Sequence, residues 1–448
     1  MKAAGTRPLK ATNTQNIDAG TLRAGSEGEY MQKGAECIVT PHAMAQGGDA
    51  VGRIDGLACF IPGALPGEQV KVKITQVNPN YVRGEIIEII TPSPDRVPVL
   101  HSGAPNMEWQ HIDPVAQLNY KVKILHDQLV HIGKLADVPE IQKVIGSPAW
   151  QYRNNARLHG YGNYLGYRAD GSKHVTEVTE DPLLQPALQH VVKELRAAVA
   201  AFPPEPRTNW SVVLRLSETT GEVVAALNDL PNRIAIQIRD AWVAACPNVI
   251  GVRMPWGSIE GAETINELHY GVSLDLGATT FFQVSLGAAR ALCDTVLAGL
   301  GDITEQRIVD AYCGAGTFTL PLAMQCGRVI GIEEYAPAVA NSQTNAWNNK
   351  LENVEWFAES VEKGIMHVHN ADAVVLDPPR KGCHPAVIQS LHRFKPTKIA
   401  YVSCHPGTLS RDLGLIVEGG YRITSVSCVD CFPQTSHVES VVMLERID

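Results

Sequence analysis

Residues 309–320 read Val309-Asp310-Ala311-Tyr312-Cys313-Gly314-Ala315-Gly316-Thr317-Phe318-Thr319-Leu320. The apolar run 308–311 reads as a buried strand, and the segment 318–324 reads as a helix. A strand that runs into a glycine turn and then a helix is the opening unit of an open α/β sheet. Gly314 and Gly316 let the backbone approach a ligand closely. About 20 residues on, Val329-Ile330-Gly331-Ile332-Glu333 puts an acid at the end of the next strand. There it can accept hydrogen bonds from ribose hydroxyls. The turn lacks the full GxGxxG spacing, so a nucleoside cofactor without pyrophosphate fits it better than NAD. Glycine turns also serve packing alone, and the acid at this distance argues against that reading.

The same alternation continues outward. Residues 328–332, 373–376 and 398–402 read as buried strands, and 286–299 and 337–348 as intervening helices. This predicts a doubly wound α/β domain with a mainly parallel sheet. Three further motifs follow its strands. Leu376-Asp377-Pro378-Pro379-Arg380-Lys381-Gly382 lies at a carboxyl end, where paired prolines stiffen the loop and hold Asp377 in a fixed orientation. Taken alone, such a turn could be only structural. Tyr401-Val402-Ser403-Cys404-His405-Pro406 follows the next strand. A cysteine is more often a packed thiol than a nucleophile. At a carboxyl end beside the Asp-Pro-Pro-Arg loop, Cys404 reads as the nucleophile. Arg380 or a helix N-terminus near Thr408 could stabilise its thiolate. Thr435-Ser436-His437-Val438-Glu439-Ser440-Val441 leads into the apolar strand 441–444. Glu439 there is either a salt-bridged structural group or a general base with a raised pKa.

Upstream the pattern differs. Residues 34–92 hold short β-rich runs (35–40, 57–61, 69–77, 84–90) separated by Gly/Pro turns, which suggests an OB-like β-barrel. Lys71, Lys73 and Arg83 are candidates for one basic face of it, or ordinary solvated charges. Residues 116–132 have helical spacing, with Leu118, Val122, Leu125 and Leu129 on one face. Residues 152–168, YRNNARLHGYGNYLGYR, interleave Arg and Tyr in a way that suits stacking on unpaired bases. An amphipathic hairpin would read the same.

The 448 residues suggest two or three domains. No run approaches the ~20 apolar residues of a membrane span, and the polar start MKAAGTRPLKATNTQN is not a signal peptide. A cytoplasmic protein without membrane contact is expected, with a disordered tail over 1–30 and a monomeric state. The ten cysteines are scattered, and only Cys428 and Cys431 form a CxxC without a second pair, so no metal site is expected. The net charge of −9 predicts weak non-specific binding to nucleic acid.

Together, the four C-terminal motifs resemble the RNA uracil-5-methyltransferase family over roughly residues 281–448. The glycine- and proline-rich stretches Val51-Gly52-Arg53-Ile54-Asp55-Gly56, Phe60-Ile61-Pro62-Gly63 and Leu65-Pro66-Gly67-Glu68 resemble its TRAM module. Trp109-Gln110-His111 and Tyr152-Arg153-Asn154 are similar to its central domain. The resemblance implies a TRAM-like OB barrel (31–93), a central RNA-binding α+β domain (94–275) and a Rossmann-like methyltransferase domain (276–448). It implies S-adenosyl-L-methionine as cofactor, with Gln283, Tyr312, Glu333 and Asp377 as its ligands. It implies Cys404 as nucleophile toward C6 of a uracil and Glu439 as the base that removes the C5 proton. The barrel points to 23S rRNA as substrate; the alternatives are tRNA uridine-54 or a non-catalytic RNA-binding factor. An amino-group methyltransferase would also suit the Asp-Pro-Pro loop but needs no cysteine. Many relatives hold a [4Fe–4S] cluster on four cysteines. Here Ala104-Pro105-Asn106-Met107 and Asp181 stand in those places, so no iron–sulfur cluster is expected. The family often has Asn after the nucleophile, and this chain has His405.

Overall fold

The structure is a computed structural model of the chain; it describes residues 21–23, 30–103, 106–168 and 174–447. The tail expected over 1–30 lies outside the described residues, apart from β1 (Thr21–Arg23) and Tyr30. β1 pairs antiparallel with β2 (Tyr30–Gln32). Contacts divide the chain into two units, residues 1–45 with 49–96, and residues 46–48 with 97–448.

The first unit carries β3 (Glu36–Val39), β4 (Ala43–Met44), β5 (Ala50–Ile54), β6 (Leu57–Ile61), β7 (Gln69–Val77) and β8 (Tyr81–Thr91). They form one sheet in the order β3-β7-β8-β6-β5-β4. Alternation puts Val70, Val72 and Ile74 of β7 inside. A Cβ on Gly52 would meet Val39 Cγ1 at 2.3 Å, so β5 crosses tightly over β3 and the sheet curls on itself. No ladder joins β3 to β4 among the described residues. The basic face considered for this unit is neutralised. Lys71 pairs with Glu36 at 2.7 Å, Lys73 stands opposite Glu36 and Glu85, and Arg83 pairs with Asp49.

In the second unit, α1 (Pro114–His131) starts where Asp113 accepts from the amides of Val115 and Ala116 and Pro114 presets the first turn. Leu118, Leu125 and Leu129 line its buried face. β9 (Ile141–Ile145) follows. The central layer is built from β10 (Asn155–Tyr161), β11 (Tyr164–Arg168), β12 (Val175–Glu177), α2 (Pro186–Ala201), β13 (Asn209–Leu216), β14 (Val223–Asn228), α3 (Asn232–Ala245), β15 (Val249–Arg253) and β16 (Ile259–Gly261). Its sheet runs β12-β11-β10-β13-β14-β15-β16. The stretch 152–168 is therefore a hairpin. α2 and α3 cover one sheet face, where Leu158, Leu195, Val212, Leu227 and Trp242 share a core. On the other face, the hairpin β17 (Thr264–His269) and β18 (Val272–Gly277) covers Val213 and Ala226 with Ile265 and Leu274.

The C-terminal layer contains α4 (Leu286–Leu300), β19 (Arg307–Ala311), α5 (Thr319–Ala323), β20 (Arg328–Glu333), α6 (Ala336–Asn348), β21 (Val354–Ala358), α7 (Val361–Gly364), β22 (Ala373–Leu376), α8 (Pro385–Phe394), β23 (Lys398–Ser403), α9 (Pro406–Glu418), β24 (Tyr421–Asp430) and β25 (Glu439–Arg446). The sheet order is β21-β20-β19-β22-β23-β25-β24-β9. Five strands from β21 to β23 are parallel, as expected, and β25 runs antiparallel between β23 and β24. β9, from far upstream, adds a last strand parallel to β24. The strand order reverses between β19 and β22, which opens the crevice where such sheets bind ligands. No helix among the described residues is long and apolar enough to cross a membrane.

Candidate active site

The sheet topology brings the motifs to one edge. The glycine turn follows β19, Glu333 ends β20, Asp377 follows β22 and Cys404 follows β23. β25 is antiparallel, so its first residue, Glu439, lies at the carboxyl ends of the parallel strands. Ser403 pairs with Ser440, which sets Glu439 beside Cys404 across the ladder.

At the glycine turn, the amides of Tyr312 and Cys313 both donate to the Ile332 carbonyl, at 2.9 and 3.1 Å. This holds Tyr312 at φ +67°, unusual for a residue with a side chain. Gly316 needs its φ of +90°, and a Cβ there would press on Leu320 at 3.0 Å. Glu333 spans the turn. One carboxylate oxygen accepts from the Gly314 amide at 3.1 Å and the other from the Tyr335 amide at 2.8 Å. Each oxygen keeps a lone pair for a further donor. Above Gly314 lies Phe281, 69% exposed; a Cβ on Gly314 would sit 4.0 Å from its ring. Gln283, next in the same segment, is buried. Burial alone pushes Asp377 up to about 7. Burial also pushes Asp310 to about 7, with the Thr319 hydroxyl opposing and Asp377 adding. Asp310 lies in the opening motif but was given no role. Thr319 donates to one of its oxygens at 2.5 Å, and the other is buried without a partner among the described residues. An acid one residue before the end of a buried strand that leads into a glycine turn was the available signal.

Cys404 is half-buried. Burial pushes its thiol up to about 11, Glu439 and Asp377 add to the rise, and Arg380 opposes it. Arg380 thus acts in the expected direction but is outweighed. Burial, then Asp377, holds Glu439 well above the usual carboxylate range, again against Arg380. Glu439 has no salt bridge among the described residues. Arg380 itself sits 3.3 Å from His437 Nδ1. The helix start near Thr408 is occupied by His405, whose Nδ1 accepts from the Thr408 amide at 3.2 Å and so caps α9. The Asp-Pro-Pro-Arg loop is anchored from behind by buried Asp412, which accepts from the Cys383 amide at 2.8 Å and the Tyr401 hydroxyl at 2.6 Å.

The site fits a nucleoside cofactor with a cationic centre. It offers two backbone-held carboxylate oxygens, a buried acid, a bare glycine cradle and an exposed ring. It does not fit an iron–sulfur cluster at the place of the missing cysteines. Asp181 is buried there and accepts from the Tyr167 hydroxyl at 2.6 Å and the Leu183 amide at 3.0 Å. Met107 packs with Tyr152 and Leu183. A cavity of about 470 Å³ beside Asp181 is lined by Leu158, Tyr167, Val178, Leu184 and Lys193, with no thiol. Residues 104 and 105 lie outside the described residues. Cys428 and Cys431 are both buried, and burial pushes Cys428 up to about 12.

Known proteins match most of the chain. The profile of the tRNA (uracil-5-)-methyltransferase family matches residues 281–447, and that of the TRAM domain matches 36–87. An RNA methyltransferase of Nostoc sp. is 35% identical over 435 residues, covering 89% of this chain and 93% of that protein. The 23S rRNA (uracil(1939)-C(5))-methyltransferase RlmD of Methylococcus capsulatus is 33% identical, covering 90% and 96%. The crystal structure of the Pyrococcus abyssi tRNA (uracil-54, C5)-methyltransferase with S-adenosyl-L-homocysteine has the same fold. Its TM-score is 0.72 at 24% identity, covering 91% of this chain and 100% of that one.

Proposed function

Since the chain belongs to the RNA uracil-5-methyltransferase family, we propose that it methylates C5 of a uridine in 23S rRNA through a covalent adduct between Cys404 and C6. S-adenosyl-L-methionine supplies the methyl group as an electrophilic sulfonium. Glu333 would accept from its ribose hydroxyls, Asp377 would face its cationic end, and Tyr312 and Gln283 would complete the cleft. The observation that carries the reading is the apposition of Cys404 and Glu439 at the crevice, with Asp377 and Arg380 close enough to shift both.

C5 of uracil is a poor nucleophile. Attack of the Cys404 thiolate on C6 makes an enolate with electron density at C5, and C5 then takes the methyl. Glu439 removes the C5 proton, the C6–S bond breaks, and the thiolate leaves. A carboxyl with a raised pKa suits that proton transfer. C6 of a stacked base is hidden, so the target uridine is flipped into the cleft from a loop. Substrate class follows the greater likeness in sequence, 33% against 24% identity, which is to the 23S rRNA enzyme.

The test is incubation with methyl-labelled S-adenosylmethionine and unmodified 23S rRNA or tRNA in parallel, followed by nucleoside mass spectrometry. Labelled 5-methyluridine in 23S rRNA alone is expected. Label in tRNA alone would move the substrate, and label in another nucleoside would overturn the mechanism. Cys404→Ala should abolish turnover with cofactor binding intact. Glu439→Gln should form the adduct and stall.

A further inference from the structure

The central sheet has one face covered by α2 and α3 and another that is covered only in part. Along β10, Ala156 and Leu158 enter the helix-covered core, so Arg157, His159 and Tyr161 project the other way. On β11, Leu165 and Tyr167 enter that core, so Tyr164, Gly166 and Arg168 project with them. The register pairs Tyr161 with Tyr164 and His159 with Gly166, and directly opposed residues share a face. Arg157 and Arg168 are exposed, Tyr161 is 39% exposed and Tyr164 53%. Further along the sheet, Arg253 donates to Asn228 at 3.2 Å.

This strip has the parts a base-stacking surface needs. Tyr161 and Tyr164 stand opposite one another across the β10–β11 ladder, with Arg157 and Arg168 on the same face. Gly166 is buried, and a Cβ there would strike the Thr176 carbonyl at 1.9 Å, so β12 packs closely on this strand beside His159. His159 Nδ1 is buried without a hydrogen-bond partner among the described residues. Glu177, at the sheet edge, is paired with Arg196. Among the described residues of the strip the charge is therefore positive, on a chain whose net charge is −9. The Arg157 end of the strip borders the catalytic layer, because its β13 partner Val213, with Ala226, shares a core with Ala315 of the glycine turn and Leu320 of α5.

We propose that Arg157, His159, Tyr161, Tyr164 and Arg168 form a stacking platform for unpaired nucleotides of the substrate RNA, beside the uridine to be methylated. The proposal rests on the chain acting on RNA. Aromatic faces take any base, and arginines follow the backbone, so the platform holds the strand without reading its sequence. Specificity stays with the catalytic cleft.

The test uses the full chain with saturating S-adenosyl-L-homocysteine. The probes are a fluorescein-labelled 12-nucleotide single-stranded RNA and the same strand as a duplex, read by anisotropy. Tyr161→Ala and Tyr164→Ala should each weaken single-strand binding about tenfold and leave the duplex unchanged. Tyr161→Phe and Tyr164→Phe should stay within about twofold of wild type, since the ring is kept. Arg157→Gln and Arg168→Gln should each lower the slope of log affinity against log salt by about 0.7. Unchanged homocysteine-analogue affinity and thermal unfolding would show that each variant is folded. Alanine variants within about twofold of wild type, Phe variants as weak as Ala, equal loss on duplex, or no single-strand binding by the wild type would each overturn the platform. Failure of wild type to form an adduct with 5-fluorouridine RNA would instead overturn the chemistry, and it leaves the oligonucleotide result standing.

Discussion

Cys404 is held as a neutral thiol by the residues proposed to work with it. The low polarity around it, and the carboxyls of Glu439 and Asp377, disfavour the thiolate. Only the thiolate attacks C6. With a thiol near 11, the thiolate fraction rises about tenfold per pH unit throughout the neutral range. Adduct formation with 5-fluorouridine RNA, measured in a single turnover, should rise in the same proportion from about pH 7 to about pH 9. A rate already flat there would mean that bound RNA lowers the thiol before attack. Burial, then Asp377, also raises Glu439 above the usual carboxylate range, and its work as a base belongs to the later step. Cys404 was legible as a nucleophile from its place after a strand. The rise of its pKa was not, because that depends first on burial and then on Glu439 and Asp377, which all come only with the fold.

At the scale of the element, the two helices behind the site begin on histidines. His384 Nδ1 accepts from the Ala386 amide at 3.2 Å, and His405 Nδ1 accepts from the Thr408 amide at 3.2 Å. His405 stands where relatives often have Asn, and both side chains present an acceptor at that position. The departure is thus a change of cap that leaves the start of α9 intact. His405→Ala should cost about 1 kcal/mol, and His405→Asn should recover most of it, read by thermal unfolding. Burial, then Arg380, lowers the His405 pKa below its usual value. A protonated Nδ1 donates and cannot cap. The cap's contribution is therefore complete above the unfolded value near 6.5 and is lost as pH falls through the lowered folded value. The wild type should lose more stability than His405→Asn on acidification through that window. The strand–turn–helix elements themselves were legible, since glycine turns and apolar runs act locally. β9 was not, because its identity as a strand comes from pairing with β24, almost three hundred residues on.

At the scale of the molecule, upstream sequence is tied into the catalytic layer by a buried ion pair. Lys121 of α1 donates to Asp430 of β24 at 2.7 Å and to the Phe432 carbonyl at 2.9 Å, with Lys121 fully buried. Removing one partner strands a buried charge. Lys121→Met should cost about 3–5 kcal/mol, and Lys121→Met with Asp430→Leu should recover most of it. Thermal unfolding of the two variants measures this; equal stability of the single variant and wild type would show that the pair is solvated. The sequence by itself determined the open α/β fold, the glycine turn, the fixed Asp-Pro-Pro loop and the cysteine after its strand. These rest on backbone restrictions and hydrophobic periods that act within a few residues. Only the tertiary structure decided that β25 would run antiparallel and carry Glu439 to Cys404, that Asp181 would close on Tyr167 where many relatives hold a cluster, and that Tyr161 and Tyr164 would stand opposite each other on a partly covered sheet face. Those outcomes depend on which strands pair and which faces are covered, and both are settled by burial between residues far apart in the chain.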